Sequence, residues 1–232
     1  MLVNETNILE FNAKLLKVEI ETQELNNSSE WVLGALSPIY IENKKTFKKI
    51  TLELAFKGDS RDIILKNISN FMSKLITDVE LTLDGYSNKY RCILSSSITE
   101  KTVSKHIYKK ELTFMGFEYG TQVIETMDRI TSKTINVSGN TETPAIVEIT
   151  PSIGLIDLIL TGVSDDSITI KNLVADKKII IDGESCKVTV DGINKFQDTE
   201  MWGFPKLLPG SRTITVDKDS VDITIKYKPR FI

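Results

Sequence analysis

The sequence predicts a mainly β protein with a single α-helix, and three observations lead to this fold class. First, Ile, Val and Thr supply 67 of the 232 residues, whereas Ala, the best helix former, occurs only five times. β-Branched side chains lose freedom in a helix and fit the pleated surface of a sheet. Second, apolar residues repeatedly occupy every second position. Third, Asp-Gly pairs begin at residues 84, 182 and 191, and this dipeptide favours the tight turns of antiparallel hairpins.

The predicted strands are short stretches in which apolar and polar residues alternate. Side chains two residues apart point to the same face of a strand, so each apolar set is expected to face a core. The sets are Leu16, Val18 and Ile20; Ile50, Leu52, Leu54 and Phe56; Val79, Leu81 and Leu83; Ile168 and Ile170; Val188 and Val190; Ile214 and Val216; and Ile223, Ile225 and Tyr227.

One segment, residues 61–75, predicts the helix. Its apolar residues recur with the spacing of one helical face. They are Ile64, Ile68, Phe71, Met72 and Leu75. Asp59 or Ser60 is available as the N-cap. We expect this helix to lie across a sheet formed by the strands before and after it.

The chain is expected to form two domains. The strands around the helix indicate an N-terminal α+β domain, residues 1–120. Residues 121–143 are rich in Thr, Ser, Asn and Gly and precede Pro144, so they are expected to form a linker. Residues 144–232 contain short strand patterns, which predict an all-β sandwich or small barrel.

Charge and the counts of His and Cys exclude several classes of function. Residues 1–120 hold 16 Lys+Arg and 16 Asp+Glu, and the chain has a formal net charge of −3, so a basic nucleic-acid-binding surface is not expected. One histidine and two distant cysteines do not suit a zinc or iron–sulfur site, and no cofactor is expected. Cys92 and Cys186 are expected to be buried core thiols, and His106 to occupy a solvent-facing strand position.

The familiar catalytic motifs do not occur in the sequence. It contains no Gly-rich phosphate loop, nucleophile elbow or H-E-x-x-H zinc helix. Paired carboxylates could still serve a hydrolase, although many of the acids stand at expected turns. Asp217-Lys218-Asp219 is expected to be a hairpin turn rather than a calcium-binding loop. The densest basic cluster is expected to be solvated loop or edge-strand surface. Its members are Lys44, Lys45, Lys48 and Lys49, around Phe47.

Neither a membrane span nor a secretory signal is expected. The apolar stretch Ile153–Val163 is interrupted by Asp157, and a membrane helix needs about 18 uncharged apolar residues. Residues Met1–Glu5 lack the basic and apolar regions of a signal peptide. We therefore expect synthesis and folding in the cytosol.

The segment Met201–Ser211 is the candidate functional site. It crowds large apolar residues among prolines and glycines that prevent a regular strand or helix. Apolar side chains on such a loop either pack against their own domain or form a contact surface. Internal packing is favoured over partner binding, and an aromatic sugar platform is a weaker alternative. The candidate residues for this partner or domain-packing surface are Trp202, Phe204, Pro205 and Leu207.

The same segment carries a family resemblance. It contains F-P-x-L-x-P-G-S over residues 204–211 and is followed by Y-x-P-R-[FW]-[IL] over residues 227–232. Together these motifs resemble the ending of the siphophage distal tail proteins, the Dit-like phage tail family of the baseplate hub. The order of strand, helix and hairpin over residues 40–118 agrees with that family.

The resemblance implies a fold and a set of partners. Residues 1–120 would be a tail-tube-like belt domain and residues 144–232 a galectin-like β-sandwich. Six copies would form a homohexameric ring around a channel through which DNA passes without specific binding. The ring would join the tail tube protein to the tail-associated lysin or tip protein, and some family members also carry a receptor-binding protein. The implied location is the tail tip of a virion.

The leading hypothesis is therefore a structural, non-enzymatic protein of a phage or phage-like tail, in which belt-domain strands pair across subunits. Two alternatives remain open. One is a lectin-like module that binds cell-wall carbohydrate through an exposed aromatic such as Trp202 or Tyr227. The other is a hydrolase that uses two carboxylates.

Overall fold

The structure, a computed structural model, describes residues 1–23, 25–99 and 104–232. The chain divides into two compact units, Met1–Tyr119 with Ile232 and Gly120–Phe231. Both units are mainly β, and the described residues contain one α-helix, so the predicted fold class is confirmed. Within the described part of the chain, no helix has the length and apolar character needed to cross a membrane.

The first unit is built on one antiparallel sheet. Its strands are β1 Leu2–Val3, β2 Thr6–Asn7, β3 Ala13–Glu21, β4 Leu25–Glu30, β5 Ile39–Lys45, β6 Lys48–Lys57, β7 Val79–Thr82, β8 Lys89–Thr99 and β9 Ile107–Tyr119. The sheet has the order β2-β1-β7-β8-β9-β6-β3, and β4 pairs with β5 in a separate two-stranded sheet. The inward residues of β6, which are Ile50, Leu52, Leu54 and Phe56, are all fully buried.

The helix lies where the sequence predicts it. Helix α1 spans Arg61–Met72 and continues as a 3-10 turn to Leu75. The Ser60 side chain caps it by accepting a hydrogen bond from the Ile63 backbone N–H. Phe71 is fully buried, and its ring contacts Phe56 of β6 at a centroid distance of 5.6 Å. The predicted packing of this helix against the sheet is confirmed.

Strand β3 differs from the simple alternation expected for it. Its pairing with β6 shifts register between Leu15 and Lys17, which is a β-bulge. The extra residue places Leu15, rather than Leu16, against the core together with Val18 and Ile20. Leu16 is exposed, so the expectation that Leu16 faces the core is wrong.

The second unit is a sandwich of two antiparallel sheets. Its strands are β10 Val123–Asp128, β11 Ser132–Val137, β12 Thr143–Pro151, β13 Leu155–Thr161, β14 Ile168–Leu173, β15 Ile179–Asp182, β16 Lys187–Val190, β17 Ile193–Asn194, β18 Thr199–Glu200, β19 Lys206–Leu207, β20 Gly210–Val216, β21 Val221–Tyr227 and β22 Arg230–Phe231. One sheet has the order β10-β21-β12-β15-β16-β17, and β19 also pairs with β12. The other has the order β11-β20-β13-β14-β18. Buried residues from both sheets form one apolar core.

Residues 121–143 are not a linker. They contain β10, which pairs with β21, and β11, which pairs with β20, so each of the two sheets gains a strand. Met127, Ile135 and Val137 point into the core. The polar Thr, Ser and Asn residues between them cover the outer faces, and their number concealed the short apolar alternation.

The Asp-Gly prediction is correct for all three hairpins, whereas the Asp217 segment is not a hairpin. The three pairs connect β7 to β8, β15 to β16 and β16 to β17. Asp217-Lys218-Asp219 instead connects β20 to β21, which lie in different sheets. Asp217 accepts a hydrogen bond from the Ile159 backbone N–H at 2.8 Å, which fixes this crossover.

Three other expectations about single residues are corrected. Cys92 is buried, but Cys186 is exposed in the turn before β16, where its φ is +55°. His106 is exposed as expected, but it lies in a turn before β9 rather than in a strand. Lys48 is buried and forms an ion pair with Glu118, because the alternation of β6 turns it inward; the side chains of Lys44 and Lys45 lie outside the described part.

A pH-dependent contribution to stability comes from Glu148 on β12. Its side chain is 13% exposed and accepts hydrogen bonds from Lys226 and, at 2.9 Å, from Lys178. The hydrogen bond from Lys226, followed by the one from Lys178, holds the pKa of Glu148 below its ordinary value of 4.5, although burial acts in the opposite direction. A carboxylate of this kind stabilises the fold above its ordinary pKa and loses that effect as the pH falls through the lowered pKa.

We predict that Glu148→Gln lowers the free energy of unfolding by about 1–2 kcal/mol at about pH 7, because a charge-assisted hydrogen-bond acceptor is lost. The difference from wild type should shrink as the pH is lowered from about 7 toward about 3, because the carboxylate becomes protonated as the pH falls through its lowered pKa. Urea unfolding at the two pH values measures this. Glu142→Gln is the matched control, since Glu142 is half-exposed and lies 3.8 Å from Lys206. If Glu148→Gln lowered the free energy of unfolding by the same amount at both pH values, the stabilising role given to the Glu148 carboxylate would be wrong.

Candidate functional site

The segment from Met201 to Gly210 joins two strands of the second unit by an irregular path. β18 pairs with β14 before the segment, and the two-residue β19 pairs with β12 within it. The backbone of Lys206 donates a hydrogen bond to the Val163 carbonyl at 2.8 Å. Its ammonium group forms an ion pair with Asp165 at 2.7 Å. Lys206 therefore fixes the segment twice, once through its backbone N–H and once through its ammonium group.

A close backbone contact anchors the middle of the segment. The Ala145 N–H donates to the Pro205 carbonyl at 3.0 Å, and the Gly183 N–H donates to the Ala145 carbonyl at 2.9 Å. A Cβ atom on Gly183 would lie 2.0 Å from the Pro205 oxygen and 2.8 Å from the Ala145 oxygen. Only glycine fits here without displacing these strands.

The four candidate residues divide into three that pack inside and one that faces solvent. Leu207 is fully buried in the core, and Pro205 is also buried. Phe204 is partly buried against the core and stacks on Phe196, with ring centroids 5.9 Å apart. Trp202 is 93% exposed, so the internal packing favoured for it is wrong. Met201 and Phe204, on either side, pack against the core, and Trp202 lies in the bend between them.

The second part of the motif also has a packing role. Tyr227 is 3% exposed, and burial is the main cause that raises its pKa. A buried phenol cannot stack on a sugar, so the suggestion of Tyr227 as an exposed aromatic is corrected. The Arg230 N–H donates to the side chain of the fully buried Thr143 at 3.0 Å, and the Asn140 N–H donates to the Arg230 carbonyl at 3.1 Å.

Many of the described acidic side chains form ion pairs with lysines. Lys218 forms ion pairs with Asp157 and with Asp217, the latter at 3.1 Å. Among the residues described, no three His, Cys, Asp or Glu side chains are placed to hold a metal ion. These ion pairs indicate a structural role for the segment Asp217-Lys218-Asp219.

A second surface, which the sequence analysis did not identify, lies at the end of the β4–β5 pair. The pair Glu21–Lys49 ends the ladder of β3 with β6, and the pair Leu25–Lys45 begins the ladder of β4 with β5. Three residues separate the two pairs on each strand, so both ladders have the same register. We call β4, β5 and the connecting residues 31–38 the arm. Its six-residue strand β4 alone rises about 20 Å.

The arm ends in an apolar tip, which we define as Trp31, Val32, Leu33 and Leu36. Leu33 and Leu36 are almost completely exposed, and Trp31 is 65% exposed. A hydrogen bond from the Ala35 N–H to the Val32 carbonyl at 3.0 Å closes a turn that contains Gly34 at φ +86°. The sequence signal was present: residues 31–41 contain no charged residue although 26% of the chain is charged.

We predict that Gly183→Ala lowers the free energy of unfolding by about 3 kcal/mol, because the new methyl group overlaps two carbonyl oxygens. Gly203→Ala is the matched control, since its Cβ would meet no atom within 4 Å, and its effect should stay within about 0.5 kcal/mol. Urea unfolding of the two variants measures the difference. If the two variants were equally stable, the backbone around Gly183 would have to move at little cost to accommodate the methyl group.

We also predict that Phe204→Ala and Trp202→Ala differ in stability. Removing the packed ring of Phe204 should cost about 2–3 kcal/mol, somewhat below the range for a fully buried Phe. Removing the exposed indole of Trp202 should change stability by less than about 0.5 kcal/mol. Thermal unfolding measured by circular dichroism checks both. An unchanged melting temperature for Phe204→Ala would place that ring on a partner surface instead.

Comparisons with known proteins agree with this architecture. Residues 138–231 match the family model of the siphovirus-type tail component, C-terminal domain. No curated protein sequence matches the chain. Its structure is similar to the crystal structure of the SPP1 Dit (gp 19.1) protein, described as a paradigm of the hub adsorption apparatus in phages that infect Gram-positive hosts. The TM-score is 0.79 and the identity 12%, and the match covers 99% of this chain and 98% of that one.

A second group of similar structures comes from the phage P2 baseplate in its activated conformation. The structure with calcium gives a TM-score of 0.56 at 13% identity and covers 97% of this chain and 94% of that one. The structure with strontium gives 0.54 at 12% identity with the same coverage. The resemblance found in the sequence is therefore confirmed: residues 138–231 match the C-terminal domain model of the siphovirus-type tail components, and the chain has the fold of the SPP1 Dit protein.

Proposed function

We propose that this protein is a structural hub at the distal end of a phage or phage-like tail. The observation that carries the proposal is the similarity to the SPP1 Dit hub protein, which extends over 99% of this chain and is joined by the family match in the second unit. Both comparisons are with tail components and not with enzymes. The proposed role is therefore to join other proteins, in the tail tip of the virion.

The hub is a ring of six copies in this proposal. Strand β3 ends the sheet of the first unit and pairs with β6 on one side. An edge strand of this kind can accept a strand of a neighbouring subunit, and ring closure then covers every such edge. Three ion pairs, Lys17–Glu19, Lys49–Glu21 and Lys109–Glu53, supply charges of both signs on β3, β6 and β9.

The balanced charge of the first unit suits a conduit for DNA. Residues 1–120 contain equal numbers of basic and acidic residues. Because phosphate binding depends on an excess of Lys and Arg, a wall of balanced charge lets a polyanion pass without holding it. In this proposal one face of the ring binds the tail tube protein, and the other binds the tail-associated lysin or tip protein. The second unit is available for a receptor-binding protein, with Trp202 as an exposed contact residue.

Two measurements test the proposal. Native mass spectrometry of the purified protein should give an assembly of six times the chain mass of 26.1 kDa. Gold-labelled antibodies raised against this chain should bind the tail tips of the virions that contain it, at the end remote from the capsid. Labelling along the tube, or unlabelled tails, would overturn the structural role, and an assembly of another size would overturn the hexamer alone.

A further inference from the structure

The apolar side chains at the tip of the arm are exposed to solvent. Its two leucines, Leu33 and Leu36, are almost completely exposed, and Trp31 and Val32 are each about half exposed or more. Because an exposed apolar group costs free energy in water, adjoining groups of this size usually mark a surface that another molecule covers. The arm extends the β3–β6 ladder, so its tip is carried away from the sheet of its own unit.

The occupant of such a surface must itself be apolar. Residues 31–41 carry no charge, so electrostatic attraction cannot select a partner for the tip. A two-stranded ribbon is also only marginally stable in isolation, and burial of its end would hold the arm in place. Chemistry therefore points to an uncharged apolar patch as the receiving surface.

The first unit itself carries a patch of that kind, which we define as Phe47, Ile93 and Met115. Ile93 on β8 and Met115 on β9 are direct cross-strand partners, and both are exposed. Phe47 stands immediately before β6, at the same end of the sheet, because Lys49 is the partner of Met115 on β6. Phe47 is 59% exposed. The charge of Lys49 beside the patch is compensated by Glu21 at 2.8 Å.

We propose that the apolar tip of one chain docks on the Phe47–Ile93–Met115 patch of a second copy. The tip and the patch lie at different places on one chain, so the contact is heterologous: each copy gives its arm to one neighbour and receives the arm of another. Contacts of this type close into rings when the rotation between copies permits. A second copy is the favoured occupant because the tip and the patch belong to the same chain, so that each contact between two copies buries two exposed apolar surfaces, whereas a different protein would cover only one of them.

The proposal rests on the ring-forming function above and names the side chains that join adjacent copies. It is distinct from pairing at the edge of β3, which uses backbone groups. The arm contact uses side chains at the end of a separate two-stranded sheet. The two contacts can therefore be tested separately.

Cross-linking between two singly substituted proteins tests the contact. Leu36→Cys and Met115→Cys are purified separately, each with Cys186→Ser, and then mixed under mild oxidation. The remaining Cys92 does not interfere, because burial raises the pKa of its thiol to about 12. Leu36→Cys mixed with Ile156→Cys is the matched control, since Ile156 is highly exposed in the second unit. We expect at least about ten times more disulfide-linked dimer in the first mixture, because docking raises the effective concentration of the two thiols.

Self-association provides an independent measurement. The double substitution Leu33→Ser with Leu36→Ser should weaken self-association by about 100-fold, measured by sedimentation velocity. Ile156→Ser with Ile193→Ser, which removes two exposed residues of the second unit, should leave it unchanged within about two-fold. Because all four residues are exposed, none of these variants should unfold, and circular dichroism checks this.

Three results would overturn the proposal. They are a cross-linking yield equal to that of the control mixture, self-association that the tip substitutions do not change, and a wild-type chain that stays monomeric at every concentration. Failure of the cross-link while antibodies label the tail tips would reject the arm contact and leave the proposed function standing. Unlabelled tails with an efficient cross-link would reject the proposed function alone.

Discussion

The first unit depends on the double pairing of β6. This strand pairs along its whole length with β9 and, on its other side, with β3. Its inward face carries four large apolar side chains that are completely buried, and α1 packs its Phe71 ring on Phe56 of that face. The chain that enters β6 is also one side of the arm. The core, the helix position and the direction of the arm therefore follow from one strand.

Much of this could be predicted because local signals and tertiary packing agree. The helix at Arg61–Met72 has a cap, an apolar face and a polar face, and the Asp-Gly pairs at residues 84 and 191 supply the positive φ that their turns require. The bulge in β3 could not be predicted, because the sequence of the strand does not mark which residue is the extra one. It is determined by the pairing with β6.

Other features depended on long-range contacts that a local pattern does not contain. Asp217 looked like part of a hairpin because two strands flank it, but those strands belong to opposite sheets. Cys186 was mispredicted for a different, local reason: the Asp182 carboxylate accepts hydrogen bonds from the backbone N–H groups of Glu184 and Ser185, and Cys186 lies in the resulting turn. Within the candidate segment, the sequence could not tell Trp202, which is exposed, from Leu207, which is buried.

The residues that carry the family resemblance are largely packing residues. Pro205 and Leu207 close one end of the sandwich through contacts with β12, and Arg230 bonds to Thr143 on that same strand. Such contacts allow few substitutions, because a larger side chain would strike backbone atoms, as at Gly183. A motif can thus identify a family through its folding requirements while the surfaces that meet partners lie elsewhere.

The composition of the arm tip also bears on the risk of aggregation. A long uncharged stretch of apolar residues on free strands is a hazard for aggregation, since other chains can add to it as further strands. Here Gly34, at φ +86°, and Pro38 interrupt the stretch, and neither residue suits the middle of an extended stack. The apolar tip can therefore stay exposed to solvent with less risk of forming fibrils.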